Sequence, residues 1–417
     1  MKVAVFTLGC KVNQYESGQI LRALAEEGYE TTEELVPADF YILNTCAVTG
    51  EAERKSRQAV ARARKLNPAA KILVCGCASQ NDAEQFAEKE NVTYVKGVAK
   101  KGDLVRHLQE SGILVDELPK IYEESNFGSS ERVRSTIKIQ DGCNRFCTYC
   151  LVPYLRGRSR SRRISEILRE AAADINFREI VLTGVDISSF GADTGESLLK
   201  LLQDLDAFEK RIRLGSLEVS LLTADFVREL ANLKNFCPHF HLSLQSGSDG
   251  VLKKMNRHYT TAQYLEAVQL IRRFFPFAGI TTDVIAGFPT ESEAEHRETL
   301  DFVRRVAFSD MHVFPYSIRE GTVAARLPQT PEEIKQRRAM ELTKLKDALK
   351  KAFLQKLKGT QHTVLTEQVQ NGRSEGYTEN YIKVYLSQDA KPNEMYRVTI
   401  GEPYRDGVLA SVEEKLC

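Results

Sequence analysis

A chain of 417 residues is too long for one ordinary core, so two to four domains are expected. Apolar residues make up 42% and charged residues 28%, the balance of a soluble globular protein, and no apolar run approaches the roughly 18 residues that would span a membrane. A formal charge of +1 excludes any global attraction to a polyanion, so a nucleic-acid site has to come from local clusters.

The first ten residues superficially match a lipoprotein signal, with a Lys, a few apolar residues and Cys10. The apolar stretch is shorter than the ~7–15 residues of a signal core and contains Thr7. A first β-strand over Val3–Gly9 and a cytoplasmic location are the expectations. Short β-branched runs recur at Phe40–Thr45 and Ile72–Gly76, with helical patterns at Tyr15–Glu27 and Glu51–Leu66 between them. This succession predicts a parallel α/β sheet domain over residues 1–112, and the Gly, Pro, Asn and Ser of 113–134 predict a linker.

A second strand series follows: Thr136–Gln140, Glu179–Thr183, Ile212–Leu217, Phe240–Gln245, Ile280–Ala286 and Met311–Pro315. Six βα units predict a partial parallel barrel over residues 135–358, with functional residues at the C-terminal strand ends. Its last part, 331–358, is a helix with nine Lys/Arg against four Asp/Glu. From residue 359 to 417, short strands broken by Asn371-Gly372, Gly376, Pro392 and Asp406-Gly407 predict a small OB-like β-barrel.

Nine cysteines, odd in number and unevenly spread, do not form a secreted disulfide framework; Cys237 and Cys417 stand alone, as a packing residue and a frayed tail. Cys143, Cys147 and Cys150 share a C-x3-C-x2-C loop directly after a strand. Structural zinc takes four closed ligands, and here the next His is at 239. Three thiolates suit an iron–sulfur cluster with one iron open to an outside ligand. The loop resembles that of the radical S-adenosylmethionine (SAM) superfamily, in which SAM chelates the open iron and is cleaved to a 5′-deoxyadenosyl radical. Gly184, Asp186, Glu218, Gln245, Asp283 and Gly287 lie at strand ends where that fold builds its SAM pocket. Each taken singly also suits a turn or a structural hydrogen bond, and the glycines would let backbone approach the cofactor.

Cys10, Cys46 and the Cys75/Cys77 pair end three strands of the first domain, on the edge where parallel sheets bind ligands. They either converge on a second cluster or remain separate buried thiols. Strand alternation puts Cys75 and Cys77 on one face at different depths. Gly9-Cys-Lys-Val-Asn-Gln-Tyr-Glu16, Asn44-Thr-Cys-Ala-Val-Thr49, Cys75-Gly-Cys77, Leu151-Val-Pro-Tyr-Leu-Arg-Gly-Arg-Ser-Arg160 and Gly287-Phe-Pro-Thr-Glu291 together resemble the methylthiotransferase family over practically the whole chain. The terminal barrel sits where that family has its TRAM domain.

The resemblance implies that Cys10, Cys46 and Cys77 hold an auxiliary [4Fe-4S] cluster beside the one on Cys143, Cys147 and Cys150. It also implies that one SAM donates a methyl group and a second supplies the radical. An electron donor such as flavodoxin or ferredoxin and a sulfur donor are implied as partners. Family members modify an adenosine next to the tRNA anticodon, N6-threonylcarbamoyl- or isopentenyl-substituted, or an aspartate of a ribosomal protein. The first and fourth segments resemble most the threonylcarbamoyladenosine subgroup. Arg156, Arg158, Arg160, Arg162 and Arg163, just past the cluster loop with Tyr154, are expected to grip tRNA phosphates. The basic residues of Glu51–Leu66 suit RNA or a solvated helix face equally. Against RNA stands the terminal barrel, with six Lys/Arg and nine Asp/Glu, which could instead recognise a protein. A metal-containing RNA-binding protein without catalysis is the alternative from another class.

Overall fold

The computed structural model describes residues 1–416 except 125–126, 128–132, 174–175, 371 and 387–389, so Cys417 and Asn371 lie outside the described residues. The first domain is a six-stranded sheet of β1 (Lys2–Thr7), β2 (Glu30–Thr32), β3 (Phe40–Thr45), β4 (Lys71–Gly76), β5 (Val92–Lys96) and β6 (Gly112–Leu114), in the order β2-β1-β3-β4-β5-β6. Every neighbouring pair is parallel. All six residues of the central β3 are buried, as expected of a strand covered on both faces.

Helix α1 (Lys11–Glu26) covers one face, packing Ile20 and Leu24 on Val3, Val5, Ile42 and Leu73. Helix α2 (Gly50–Leu66) covers the other through Ala59, Val60 and Ala63, and its first turn is capped by Thr49, which accepts from the Ala52 N–H. Both helices follow strand ends, so their N-termini lie on the edge that carries the cysteines.

The central region has β7 (Arg134–Lys138), a short antiparallel pair β8 (Gln140–Asp141) and β9 (Arg160–Ser161), then β10 (Glu179–Thr183), β11 (Arg211–Leu214), β12 (Ser216–Leu217), β13 (His239–Leu242), β14 (Gly279–Ala286) and β15 (Asp310–Pro315). The expected strand Ile212–Leu217 is two strands. Its first half pairs with β10 and its second with β13, so the parallel barrel wall is two sheets, β11-β10-β7 and β12-β13-β14-β15. The switch falls at Gly215, whose N–H donates to the Leu182 carbonyl at 2.9 Å. The helix Glu332–Leu357 runs along β14 and β15, burying Ala339 and Leu342 in the main core.

The last strands, β16 (Gln361–Gln370), β17 (Arg373–Thr378), β18 (Lys383–Leu386), β19 (Met395–Tyr404) and β20 (Gly407–Lys415), close as a barrel in the order β16-β17-β18-β20-β19. Its core of Val364, Val384, Val398, Ile400 and Val408 is continued by Leu354 and Leu357 of the long helix. The barrel docks at the starts of the central strands. There the Glu179 carboxylate pairs with Arg134 at 2.7 Å, Arg211 at 3.1 Å and Arg213 at 2.7 Å. Arg213 also donates to the carbonyls of Thr378 (3.2 Å) and Glu379 (3.0 Å), and His239 stacks on Tyr381 with ring centres 4.7 Å apart.

Candidate active site

The loop after β8 is held from both sides. Gly142 (φ +70°) passes so close to the Arg158 carbonyl that a Cβ would lie 2.0 Å from it, so only glycine fits. Asn256 donates to the carbonyls of Arg145 (3.2 Å) and Phe146 (3.1 Å), and the Thr148 N–H to that of Met255 (3.1 Å). Each sulfur of the loop has one N–H donor at 3.4 Å: Arg145 N for Cys143, Val152 N for Cys150 and the Arg257 guanidinium for Cys147. Burial pushes the Cys143 thiol up to about 11 and the Cys150 thiol up to about 12. Such sulfurs become thiolates when a metal centre supplies positive charge, and the N–H donors then stabilise the anions. Among the described residues no three His, Cys, Asp or Glu side chains close around a single ion. A cubane spans more space than one ion and takes its ligands from further apart, and an all-thiolate set with backbone donors fits it.

Around this loop the predicted pocket residues divide. Asp186 pairs with Arg145 at 2.9 Å, and Glu218 pairs with Arg257 and, at 3.7 Å, with Arg145. These two carboxylates fix the guanidiniums beside the cysteines. Neither arginine was singled out by sequence: Arg145 lies inside the Cys-x3-Cys interval, and Arg257 has no local signal at all. Gln245 lies beyond the end of β13 with a positive φ of +67° and still bridges to β14, its N–H donating to the Asp283 carbonyl at 2.8 Å. The Asp283 carboxylate lies 3.3 Å from His241. A Cβ on Gly184 would meet Ile187 at 2.8 Å and the Gln140 carbonyl at 2.9 Å, and one on Gly287 would meet Lys335 at 2.7 Å, so the packing around them already requires glycine at both positions.

The cysteines of the first domain do converge. Cys10, Cys46 and Cys77 line one cavity of about 660 Å³, whose other walls include Thr183, Gly184 and Asp283 of the central strands and Tyr377 and Tyr381 of the terminal barrel. Cys10 caps α1, Cys46 follows β3, and Cys77 opens a short helix after β4. A Cβ on Gly9 (φ +100°) would lie 2.6 Å from the Cys46 sulfur, so the β1 end can pass this close only as glycine. Burial pushes the Cys46 thiol up to about 11. Cys75 departs from the expected placement. Gly76 (φ +109°) breaks strand alternation, so Cys75 packs on the α1 face with Val5 and Leu73, whereas Cys77 lies on the opposite face with Leu43 and Val74.

Arg156 links the two cysteine groups. Its Nε donates to the Cys77 sulfur at 3.3 Å. Its Nη1 donates to Glu16 at 2.9 Å and to Asp141, two residues before Cys143, at 3.1 Å. Glu16 also takes Lys101 (2.6 Å) and Lys138 (2.7 Å), and Arg160 pairs with Asp141 at 3.0 Å. Three of the five arginines expected to hold RNA therefore do otherwise. Arg156, Arg160 and Arg162 are 2%, 4% and 1% exposed, with Arg162 on Glu170 and Glu124, because each carboxylate buried beside them needs a cation. Arg158 and Arg163 are exposed, and Arg158 stacks over Phe146 (4.4 Å), whose ring meets the exposed Tyr154 edge-on. On α2, Arg54 and Arg57 pair with Glu51 and Glu53 of the same helix, and Arg64 pairs with Glu90.

Lys11 is the remaining charged wall residue beside Cys10. Its side chain faces the cavity, and burial, then Arg213 and Arg134 below, lower its pKa.

Comparison with known proteins follows the same division. Residues 2–97 match an uncharacterised protein family, UPF0004, and residues 137–303 the radical SAM superfamily. A relative from Aquifex aeolicus, named threonylcarbamoyladenosine tRNA methylthiotransferase MtaB, is 37% identical over 96% of this chain and 100% of its own. One of the same name from Bacillus subtilis is 35% identical over 99% and 97%. A tRNA-2-methylthio-N(6)-dimethylallyladenosine synthase from Thermodesulfovibrio yellowstonii is 32% identical over 98% of both. Among solved structures, the radical SAM methyltransferase TsrM from Kitasatospora setae matches 78% of this chain and 77% of its own with a TM-score of 0.56 at 12% identity, a likeness of fold.

Proposed function

We propose that this chain, which belongs to the radical SAM tRNA methylthiotransferases, adds a methylthio group to C2 of N6-threonylcarbamoyladenosine next to the tRNA anticodon. The observation that carries the reaction is the single cavity on which Cys10, Cys46 and Cys77 and the strand ends of the radical SAM domain both open. For the substrate, the support is the full-length similarity to relatives named for threonylcarbamoyladenosine.

Cys143, Cys147 and Cys150 would hold one [4Fe-4S] cluster and Cys10, Cys46 and Cys77 a second, which with SAM would supply methyl transfer and hydrogen abstraction at an unreactive C–H. The chain's own task is positioning. Arg145 and Arg257, held by Asp186 and Glu218, fix the cysteine loop and its hydrogen bonds to sulfur. Arg156 sets the Cys77 wall against the Asp141–Cys143 turn, so the two sulfur groups keep one relative geometry. Asp283, which lines the cavity from within β14, and Gln245, beyond the end of β13, are the polar groups assigned to SAM. The terminal barrel lines the far side with Tyr377 and Tyr381, which would limit the access of water from that side. Arg158 and Arg163, with Tyr154, are the residues offered to tRNA phosphates and bases. An external reductant and a sulfur donor complete the cycle.

The test is nucleoside mass spectrometry of tRNA from cells lacking the gene. Loss of methylthiolated threonylcarbamoyladenosine is expected. Loss of the isopentenyl product instead would replace the substrate, and an unchanged nucleoside profile with an altered ribosomal protein mass would move the reaction off RNA.

A further inference from the structure

The cavity walls carry several Lys and Arg side chains, and all but one are matched. Lys350 pairs with Asp310 at 2.8 Å. Lys383 lies 3.2 Å from Glu375 and 3.4 Å from Asp406. Arg156 is taken up by Glu16 and Asp141, and Asp283 faces His241. The Lys11 ammonium, among the described residues, has neither a hydrogen-bond nor an ion-pair partner. It therefore lines the cavity as an unpaired cation beside a cysteine of the auxiliary group, with Arg213, Arg134 and Glu179 as its more distant charged neighbours.

An unpaired cation facing a cavity has a chemical consequence. An apolar guest would leave it desolvated and unmatched, whereas an anionic guest satisfies it. The two adenosine side chains modified by this family differ in that respect. An isopentenyl group is neutral and apolar, and a threonylcarbamoyl group ends in a carboxylate. C2, the atom to be modified, and C6, which bears the N6 substituent, flank the same ring nitrogen. A residue next in sequence to a ligand of the auxiliary cluster is thus within a side chain's reach of the substituent when C2 faces that cluster.

We propose that Lys11 is the specificity residue of this site, its ammonium binding the terminal carboxylate of the N6 threonylcarbamoyl group. The proposal rests on the substrate reading above and deepens it by assigning discrimination to one residue. A charge-assisted hydrogen bond of this kind corresponds to about a 10- to 100-fold difference in binding or kcat/KM.

The experiment uses the reconstituted full-length enzyme and three anticodon stem-loop RNAs. They carry threonylcarbamoyladenosine, its carboxylate methyl ester, or isopentenyladenosine. Binding is read by fluorescence anisotropy, turnover by nucleoside mass spectrometry, and cluster loading by iron and sulfide content. The wild type should favour the free acid over the ester by about 10- to 100-fold. Lys11→Gln should lose that preference with iron content unchanged, and Lys11→Arg should keep most of it. A normally loaded Lys11→Gln enzyme that still favours the free acid overturns the assignment while leaving the substrate reading intact. Should Lys11→Gln fail to load iron, the wild-type comparison decides, since equal use of acid and ester overturns the assignment without any variant. A wild-type enzyme that modifies only the isopentenyl RNA overturns the substrate reading itself, and this inference with it.

Discussion

Cys75 and Cys77 differ by two positions and by the face of the sheet they occupy. The positive φ of Gly76 turns Cys77 toward the cavity and leaves Cys75 fully buried under α1. Cys77→Ala should therefore halve bound iron, from about eight to about four per chain, while Cys75→Ala keeps the higher figure. Iron and sulfide analysis after anaerobic reconstitution reads both, and iron loss only in the Cys75 variant would reverse the ligand assignment. The arginines teach the complementary lesson. A run of basic residues in a sequence carries no sign of burial, and Arg156, Arg160 and Arg162 answer to carboxylates from 8 to 140 residues away. Arg158→Ala and Arg163→Ala should each weaken tRNA binding and reduce its salt slope by about one. Arg156→Ala should instead lower thermal stability by about 3–5 kcal/mol, because it removes the cation that Glu16 and Asp141 share and leaves its buried site unfilled. Salt titration of binding and thermal melts separate the two behaviours.

At the scale of elements, the strands were legible from their β-branched runs, and their ends were legible as the place of the site. Phe40–Thr45 has the expected bounds, as a fully buried strand should. What escaped was where a strand changes partner. Gly215 marks that change at a position whose need comes from neighbouring strands, which local pattern does not record. The docking of the terminal barrel escaped as well, since it joins strand starts to a separate domain. His239 makes this junction sensitive to pH. Burial, and after it the Arg213 guanidinium, hold its pKa well below the usual histidine value, and it stacks on Tyr381 as a neutral ring. A base with a depressed folded pKa stabilises the fold above its unfolded pKa of about 6.5, and that stability is lost as pH falls below it. Melting temperature should drop between about pH 6.5 and 5, and His239→Phe should flatten that drop. An unchanged slope in the variant would show that the junction is not the sensitive point.

For the whole molecule, the decisive object is the buried polar group that joins the first domain to the radical SAM domain. Glu16 of α1 binds Lys101 of its own domain together with Lys138 and Arg156 of the next, the last 140 residues away. No periodicity brings such residues together, so the cavity's cysteines were readable from sequence and the scaffold that aligns them was not. Gly50 and Glu53 add a second tie, to Ser317 (2.9 Å) and Arg319 (2.8 Å). The two domains should therefore melt as one unit. Three cations hold the Glu16 carboxyl well below the usual carboxylate range despite its burial. An acid with a depressed folded pKa contributes stability above its unfolded pKa, about 4.3, and that contribution is lost as pH falls through the folded value. At neutral pH it is fully present. Glu16→Gln leaves Lys101, Lys138 and Arg156 short of a counter-charge and should cost about 3–5 kcal/mol at pH 7. The cost should shrink under acid conditions, where the wild type loses the same charge. Scanning calorimetry of the full chain should show the first domain melting separately, and earlier, in the variant. A single transition at the wild-type temperature would mean that apolar packing of Leu151 and Leu155 against the first domain holds the two cysteine groups in register without the ions.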